Sequence, residues 1–533
     1  MFSQLIAPVS GSLALSTLCA ALPVLVLLLV LGVWRRPAWL AASMGLLVAL
    51  TLAHLVWRMP LHLAVGAMAF GAVFALLPVV WIVVNALLLY NIAVTSGRFD
   101  AFRDWLIRHL PDDRRVVLVM VGFCFSALLE GLAGFGAPVA ISSSLLILVG
   151  FAPLEALVFV LIFNTAPVAF GALGTPVMVL GAVTGLPAAK LGAMIGRQLP
   201  LIALLLPSYV MVLYGGWRSL RALWPFLLVA GGSFALFQFL ASNFIDYTLT
   251  DVISSLGALA VSLLFLKIWA PAADAEFAIR GAQDQRPAAE VPTLRAWMPW
   301  LMLSLVVIVW TSLKMPAWGQ AKIEWPGLHH AISITLYGGK PYDALWSFQP
   351  LGTGTAILFA AILTALASRL SPRAFAGCVL TTLRQYWRAA ITVMLIISLA
   401  YLMNYSGLAY TLGQGVASTG AAFILLSPFL GWLAVMLSGS DTAGNALFGN
   451  LQVVAAHQLQ LNPVLFAATN SSGGVMGKMI SPQNIATGVS VTQLAGNEGR
   501  VFARTFLHSI VLTLLLGLWV AIQQYLLPGT MLP

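Results

Sequence analysis

The sequence predicts an all-α polytopic membrane protein with about 12 to 14 transmembrane segments, built as two inverted repeats that each contain a broken or re-entrant helix. Three observations predict it. Hydrophobic residues make up 61% of the 533 positions and charged residues only 8%, whereas a soluble domain carries roughly 25% charged residues. So apolar a chain has too little polar surface to cover a water-facing core, which leaves lipid as its solvent. Apolar runs long enough to cross a bilayer as helices, about 20 residues each, recur from end to end. Two further runs are interrupted by Gly, Pro and polar residues in matching patterns.

The clear spans lie near 12–33, 39–57, 62–90, 116–129, 198–214, 224–241, 252–268, 297–313, 353–368, 389–403, 421–438 and 506–526. No run alternates as a transmembrane barrel strand does. The first is too long for a signal-peptide core and reads as a retained helix. Arg35 and Arg36 follow it. The densest basic loop carries Arg98, Arg103, Arg108, Arg114 and Arg115, and the loop 369–388 carries Arg369, Arg373, Arg384 and Arg388. Arg500 and Arg504 precede the last span. The positive-inside bias places these loops in the cytoplasm and both termini outside. The net charge of +10 is thereby explained by loop positions, without a nucleic-acid partner. The stretch 270–296, with Arg280, Arg286 and Arg295 among Ala, Pro and acidic residues, reads as a cytoplasmic linker between a membrane half at 1–269 and another at 297–533. The loop 314–350, rich in Trp, Gly and Pro and containing His329 and His330, falls outside.

The first interrupted stretch (122–177) holds Glu130 before the Gly-rich turn Ala133-Gly134, then Asn164-Thr165 and Thr175-Pro176. The second (438–486) holds Asp441 before Ala443-Gly444-Asn445, then Asn470-Ser471-Ser472, Lys478 and Ser481-Pro482. Asn164 to Pro176 and Asn470 to Pro482 are frames of equal length, in which Thr165 matches Ser471, Gly171 matches Gly477 and Thr175 matches Ser481. Gly and Pro at membrane depth free backbone groups that only protein or a water-filled cavity tolerates. Paired broken helices therefore point to a transporter's binding site. Half-helix N-termini offer N–H donors and partial positive charge to a carboxylate. The preceding spans run in opposite directions by parity, as an inverted repeat requires. Asn164, Thr165, Asn445, Asn470, Ser471, Ser472 and Lys478 are the candidate substrate ligands.

Glu130, Asp441 and Lys478 stand where an ionised group costs at least ~2.5 kcal/mol. Desolvation favours the neutral form of a carboxylate, so Glu130 and Asp441 are candidate proton carriers. Asp441 is preferred because Asn445, four residues on, shares its helical face. Lys478 balances an acid or attracts an anion. Glu155 and Asp246 read as surface residues.

The runs YNIAVTSGRFD (90–100), GFCFSALLEGLAGFGAPVAI (122–141), NTAPVAFGALGTPV (164–177), SGSDTAGNALFGNLQ (438–452) and NSSGGVMGKMISPQNIA (470–486) resemble the L-lactate permease family. The resemblance implies uptake of L-lactate, with D-lactate and glycolate, by proton symport across the bacterial inner membrane, with no cofactor. It also implies kinship with the ion-transporter superfamily, whose paired Ser/Asn/Thr signature sits at re-entrant hairpin tips. Asn164-Thr165 and Asn470-Ser471 are the counterparts here; the triplet is completed by Thr469 at the second tip but not by Phe163 at the first. A sodium-coupled symporter of another organic anion and an anion channel are the alternatives.

Other classes fail on chemistry. The run Gly473 to Met479 lacks the first Gly and the final Ser or Thr of a phosphate loop. The seven histidines show no metal-ligand spacing at depth, and no nucleophile-elbow motif occurs. Cys19, Cys124 and Cys378 lie apart and read as apolar filler.

Overall fold

The computed structural model describes every residue except 35, 133–136, 280–291, 493, 495 and 533. The expectations for Arg35, for the Gly-rich turn after Glu130 and for Arg280 and Arg286 in the linker therefore lie outside the described residues. Helices dominate. From the N-terminus they are α1 (Leu13–Gly32), α2 (Ala38–Leu55), α3 (Leu61–Phe74), α4 (Trp81–Thr95) and α5 (Arg98–His109). Then come α6 (Arg114–Leu132), α7 (Ala137–Leu148), α8 (Pro153–Phe163), α9 (Gly171–Thr184), α10 (Ala188–Leu240) and α11 (Thr250–Ile268). The remainder are α12 (Thr293–Ser312), α13 (Thr353–Ala367), α14 (Pro372–Ser406), α15 (Leu408–Ala417), α16 (Phe423–Ser438), α17 (Asp441–Gln458), α18 (Pro463–Lys478), α19 (Pro482–Val491) and α20 (Glu498–Tyr525).

Among the described residues nine helices are long and apolar enough to cross a membrane, or up to ten if the bent pair α8–α9 is one span. This number is not the number of crossings. α10 counts once, yet it turns back at Gly216, whose φ of 65° and ψ of −171° only glycine adopts readily. α12 and α13 are shorter apolar helices. α6 and α16 are counted as spans although each is one arm of a hairpin.

Contacts sort the ends of the helices into two faces. At one face Arg98 reaches Ser368 and the carbonyl of Arg295, and Arg218 pairs with Asp274 at 3.2 Å. Arg115, buried in spite of its charge, pairs with Asp113 at 2.7 Å and lies over the Phe277 ring. These contacts clip the start of α6 to the segment after α11. The basic segments around 98, 114, 218, 295 and 368 meet there. At the other face β1 (Phe2–Ser3) pairs in parallel with β3 (Ile332–Ile334), which pairs antiparallel with β4 (Lys340–Pro341). A second ribbon joins β2 (Ala321–Glu324) to β5 (Leu345–Phe348). Gln4 there donates to the carbonyls of Asn404 and Tyr405, Tyr337 packs on His457, and Asn462 donates to the carbonyl of Leu532. Both ends of the chain thus share a face with the loop 314–350, opposite Arg98, Arg115 and Arg218.

Two hairpins enter from opposite faces. Arg114, at the start of α6, donates to the carbonyl of Gly150 just beyond α7 at 3.1 Å, so α6 and α7 enter and leave at the basic face. α17 ends beside Tyr337, and α15, which leads into α16, packs against Thr17 at the head of α1, so α16 and α17 enter and leave at the sheet face.

Gly473, Gly474 and Gly477 in the second interrupted stretch do not break their helix. The expected interruption at Asn470-Ser471-Ser472 is corrected by the structure: these residues lie inside α18, and the chain breaks at 439–440 and 479–481 instead. A Cβ on Gly473 or Gly477 would run into the backbone of Pro428 or Trp432 on α16, and one on Gly431 would meet the backbone of Asn470. Glycine serves there to bring two helices into backbone contact, as small residues do between membrane helices.

Candidate functional site

Five helix ends converge on one point. α8 stops at Asn164, and the chain passes through an irregular segment to α9, whose first turn is left-handed at Ala172, Leu173 and Gly174 (φ 45°, 55° and 73°). The right-handed helix resumes at Thr175-Pro176, where Pro suits a first turn because its missing N–H has no partner there anyway. Gly174 is required on two counts: its φ is positive, and a Cβ would sit 2.8 Å from the Tyr247 ring. α16 ends in Gly439 at φ 71°, Ser440 caps α17 by accepting from the N–H of Ala443, and Asp441 stands in the first turn of α17. Lys478 closes α18. The acid at a helix N-terminus and the base at a helix C-terminus each oppose the local dipole charge favourably.

Glu130, near the end of α6, meets Lys478 across the molecule: Nζ lies 2.5 Å from Oε1. Asn164 Nδ2 donates to the other oxygen, Oε2, at 3.0 Å. Asp441 Oδ2 accepts from Ser471 Oγ at 2.5 Å and from Asn445 Nδ2 at 3.2 Å. Asn470 supports Asn445 by donating to its side-chain oxygen at 3.0 Å, and Gln452 donates to Asn470 in turn. Asn445 also donates to the carbonyl of Pro176, tying α17 to the start of α9. Asp441 Oδ1 and Ser481 Oγ have no hydrogen-bond partner among the described residues.

Glu130, Asp441 and Lys478 line a small cavity of about 30 Å³ together with Thr175, Ser440 and Thr442; the hydroxyls of Thr175 and Thr442 are 3.5 Å apart. Farther along α9, Met178, Gly181 and Thr184 border a much larger cavity of about 730 Å³ that opens at the sheet face. Its walls carry Tyr337, Tyr342, Tyr401, Tyr405 and Tyr410, with Lys340 and His457 at the rim. Tyr337 and Tyr342, in the loop outside the spans, have hydroxyls held above the ordinary tyrosine range by burial, so they are neutral donors at working pH. His329, His330 and Asp343 cluster within 4.8 Å on the same loop, far from the membrane-buried charges.

The structure separates the residues singled out from sequence into three groups. Glu130, Asp441 and Lys478 face the small cavity. Asn164, Asn445 and Ser471 bind one or other of its carboxylates, and Asn470 stands one step behind. Thr165 and Ser472 turn elsewhere: the Thr165 hydroxyl donates to the carbonyl of Ile162, and the Ser472 hydroxyl to Gln198 Oε1 at 2.7 Å. Sequence reasoning did not put forward Ser440 or Thr442 as lining residues, and it missed Asp251. Asp251 stands one residue before the apolar run 252–268, where a charge reads as interfacial, yet it is buried against Gly131.

The model of a family described as L-lactate permease matches residues 16–527. Among curated proteins, the L-lactate permease of Salmonella typhimurium is 41% identical over 537 residues, covering 97% of each chain. The glycolate permease GlcA of Escherichia coli is 39% identical, covering 99% of each chain, and the L-lactate permease of Bacillus subtilis is 39% identical, covering 98% of each. Among solved structures, the YdaH transporter of Alcanivorax borkumensis is similar with a TM-score of 0.49 and 16% identity, covering 91% of this chain and 99% of that one.

Proposed function

Because this chain belongs to the L-lactate permease family, we propose that it imports L-lactate, D-lactate and glycolate across the bacterial inner membrane, each anion together with a proton. The observation that carries the reading is the cavity where α9 and α17 begin, with the Lys478 ammonium and two carboxylates in its wall. The helix N-termini and Lys478 attract the substrate carboxylate. Asp441 Oδ1, a buried acceptor without a donor among the described residues, takes the 2-hydroxyl that lactate and glycolate share. The tyrosine-walled cavity is the way in from outside, and the basic face lies in the cytoplasm. The two hairpins, with the broken pairs α8–α9 and α18–α19, form the inverted repeat.

Moving lactate alone against an inside-negative potential costs about 2.3 kcal/mol per 100 mV. One proton cancels that charge. One of the buried carboxyls clustered about Lys478, where Glu130 and Asp441 line the cavity, carries it.

The test is uptake into proteoliposomes. A pH gradient of one unit should sustain about tenfold accumulation of L-lactate, and D-lactate and glycolate should compete well while propionate, which lacks the hydroxyl, competes poorly. Accumulation that follows sodium and ignores the pH gradient would overturn the coupling. Absence of counterflow exchange would overturn the carrier.

A further inference from the structure

A third carboxyl belongs to the same charge cluster. Asp251 lies in the first turn of α11 and is 1% exposed. Neither of its side-chain oxygens has a hydrogen-bond partner among the described residues. It is pressed against the end of α6: a Cβ on Gly131, the residue after Glu130, would lie 2.7 Å from the Asp251 Cβ. The charged groups that face it are Glu130 from α6 and Lys478 from α18; α9, α10 and α12 present none to it among the described residues. Asp246, on the turn before α11, is engaged by the N–H and hydroxyl of Thr248.

This placement is costly unless it serves a purpose. A carboxylate buried without donor or cation is among the most unfavourable groups a protein can hold, and the usual resolution is a bound proton. Nothing in the packing requires an acid here, since the side chain makes no hydrogen bond that stabilises α11 among the described residues. The anion is nevertheless attainable. Asp251 sits in the first turn of a helix, whose N-terminus favours the anion, and the positive charge of Lys478 favours it too.

We propose that Asp251 is the proton-exchanging carboxyl of the transport cycle, alternating with the substrate as the second anionic partner of Lys478. In the empty carrier Asp251 is ionised, and Lys478 is shared between it and Glu130. A substrate carboxylate arriving at Lys478 displaces Asp251, which takes one proton from the water of the open face and becomes neutral. At the other face the substrate leaves, Asp251 returns its proton to water, and Lys478 recovers it as a partner. The cluster carries the same net charge loaded and empty, and each anion moves with one proton. The arrangement seen here, with both Asp251 oxygens unpartnered and Lys478 on Glu130, is that of Asp251 before it has given up its proton.

This inference rests on the proton-symport reading, and one set of measurements separates the two. Wild type and Asp251→Asn, which mimics the permanently protonated side chain, are reconstituted side by side. Wild type should accumulate lactate about tenfold for one unit of pH gradient. Asp251→Asn should lose that accumulation and the pH dependence of uptake while retaining lactate counterflow, because exchange never requires the empty, ionised form. If wild type does not respond to the pH gradient, the symport reading falls and takes this inference with it. If wild type responds and Asp251→Asn accumulates equally, only the role of Asp251 falls. Should Asp251→Asn lack counterflow as well, the lactate-induced infrared difference spectrum decides, with Asp251→Glu beside wild type. A protonated-carboxyl C=O band that appears with lactate and moves in Asp251→Glu supports the proposal; a band that does not move, or none, overturns it.

Discussion

At the scale of single residues, the site is governed by one ammonium among several carboxyls. Lys478 and Glu130 are both almost fully buried, so neither tolerates loss of the other. Breaking a buried pair by removing one member typically costs 3–5 kcal/mol, since it strands the partner's charge, whereas removing both is far milder. Lys478→Met should therefore lower thermal stability in detergent sharply, and Glu130→Gln with Lys478→Met should recover most of it. Neither form should bind lactate, as counterflow would report. The serine pair gives a finer contrast. Ser471 donates to Asp441, and hydrogen bonds to charged groups are worth about 1.5–3 kcal/mol. Ser471→Ala should weaken lactate binding roughly ten- to a hundredfold. Ser472→Ala, whose hydroxyl is spent on Gln198, should leave affinity within about threefold and show its cost in stability. Equal effects of the two on affinity would contradict the assignment. From the sequence these neighbours were indistinguishable. Their difference is one of helical phase: Ser471 faces α17 and Ser472 faces α10, which only the packing of α18 decides.

At the scale of elements, the interrupted stretches were legible as stretches, while the places of interruption were not. Asn164 does end a helix, because Pro167 and the left-handed residues 172–174 follow it closely. Asn470 does not, although glycines crowd it equally, because α16 presses its backbone onto Gly473 and Gly477 and supplies the contacts that a broken helix would lack. Glycine in a membrane helix signals close approach as readily as it signals a break, and sequence alone does not say which. α16 and α18 are thus bound into one body, with α17 carried between them. The bonds from α17 to α9 are fewer: the Asn445 amide to the Pro176 carbonyl, and the hydroxyls of Thr175 and Thr442. We expect the seam to yield there when the cavity widens. A disulfide between Thr175→Cys and Thr442→Cys should stop lactate exchange on oxidation and release it on reduction. Exchange that continues with the bond formed, verified by mass spectrometry, would place the moving seam elsewhere.

At the scale of the whole molecule, the distribution of arginine anticipated which loops share a face. The contacts of Arg98, Arg114 and Arg218 gather the loops near 98–115, 216–218, 274–278 and 368 together, and the sheet gathers the N-terminal residues with 321–348 opposite them. Charge reads well because it is a property of loops in water. The sheet itself was invisible to an analysis of apolar runs, since its strands are two to four residues long. The orientation is checked with single cysteines in a background freed of Cys19, Cys124 and Cys378. A cysteine in 98–115 should resist an impermeant thiol reagent added to intact cells, and one in 321–348 should react; the reverse pattern would turn the molecule over.

The cavity among Glu130, Asp441 and Lys478, at about 30 Å³, has room for one or two waters and none for an acid of six heavy atoms. Its size bears on the energetics of the cell as well as on substrate entry. A proton conducted through a membrane by itself travels along a file of hydrogen-bonded water, and so short a pool cannot supply one. The protein in this conformation is a plug as much as a port. Proteoliposomes carrying it should therefore hold an imposed pH gradient in the absence of lactate, as a trapped pH-sensitive dye would report.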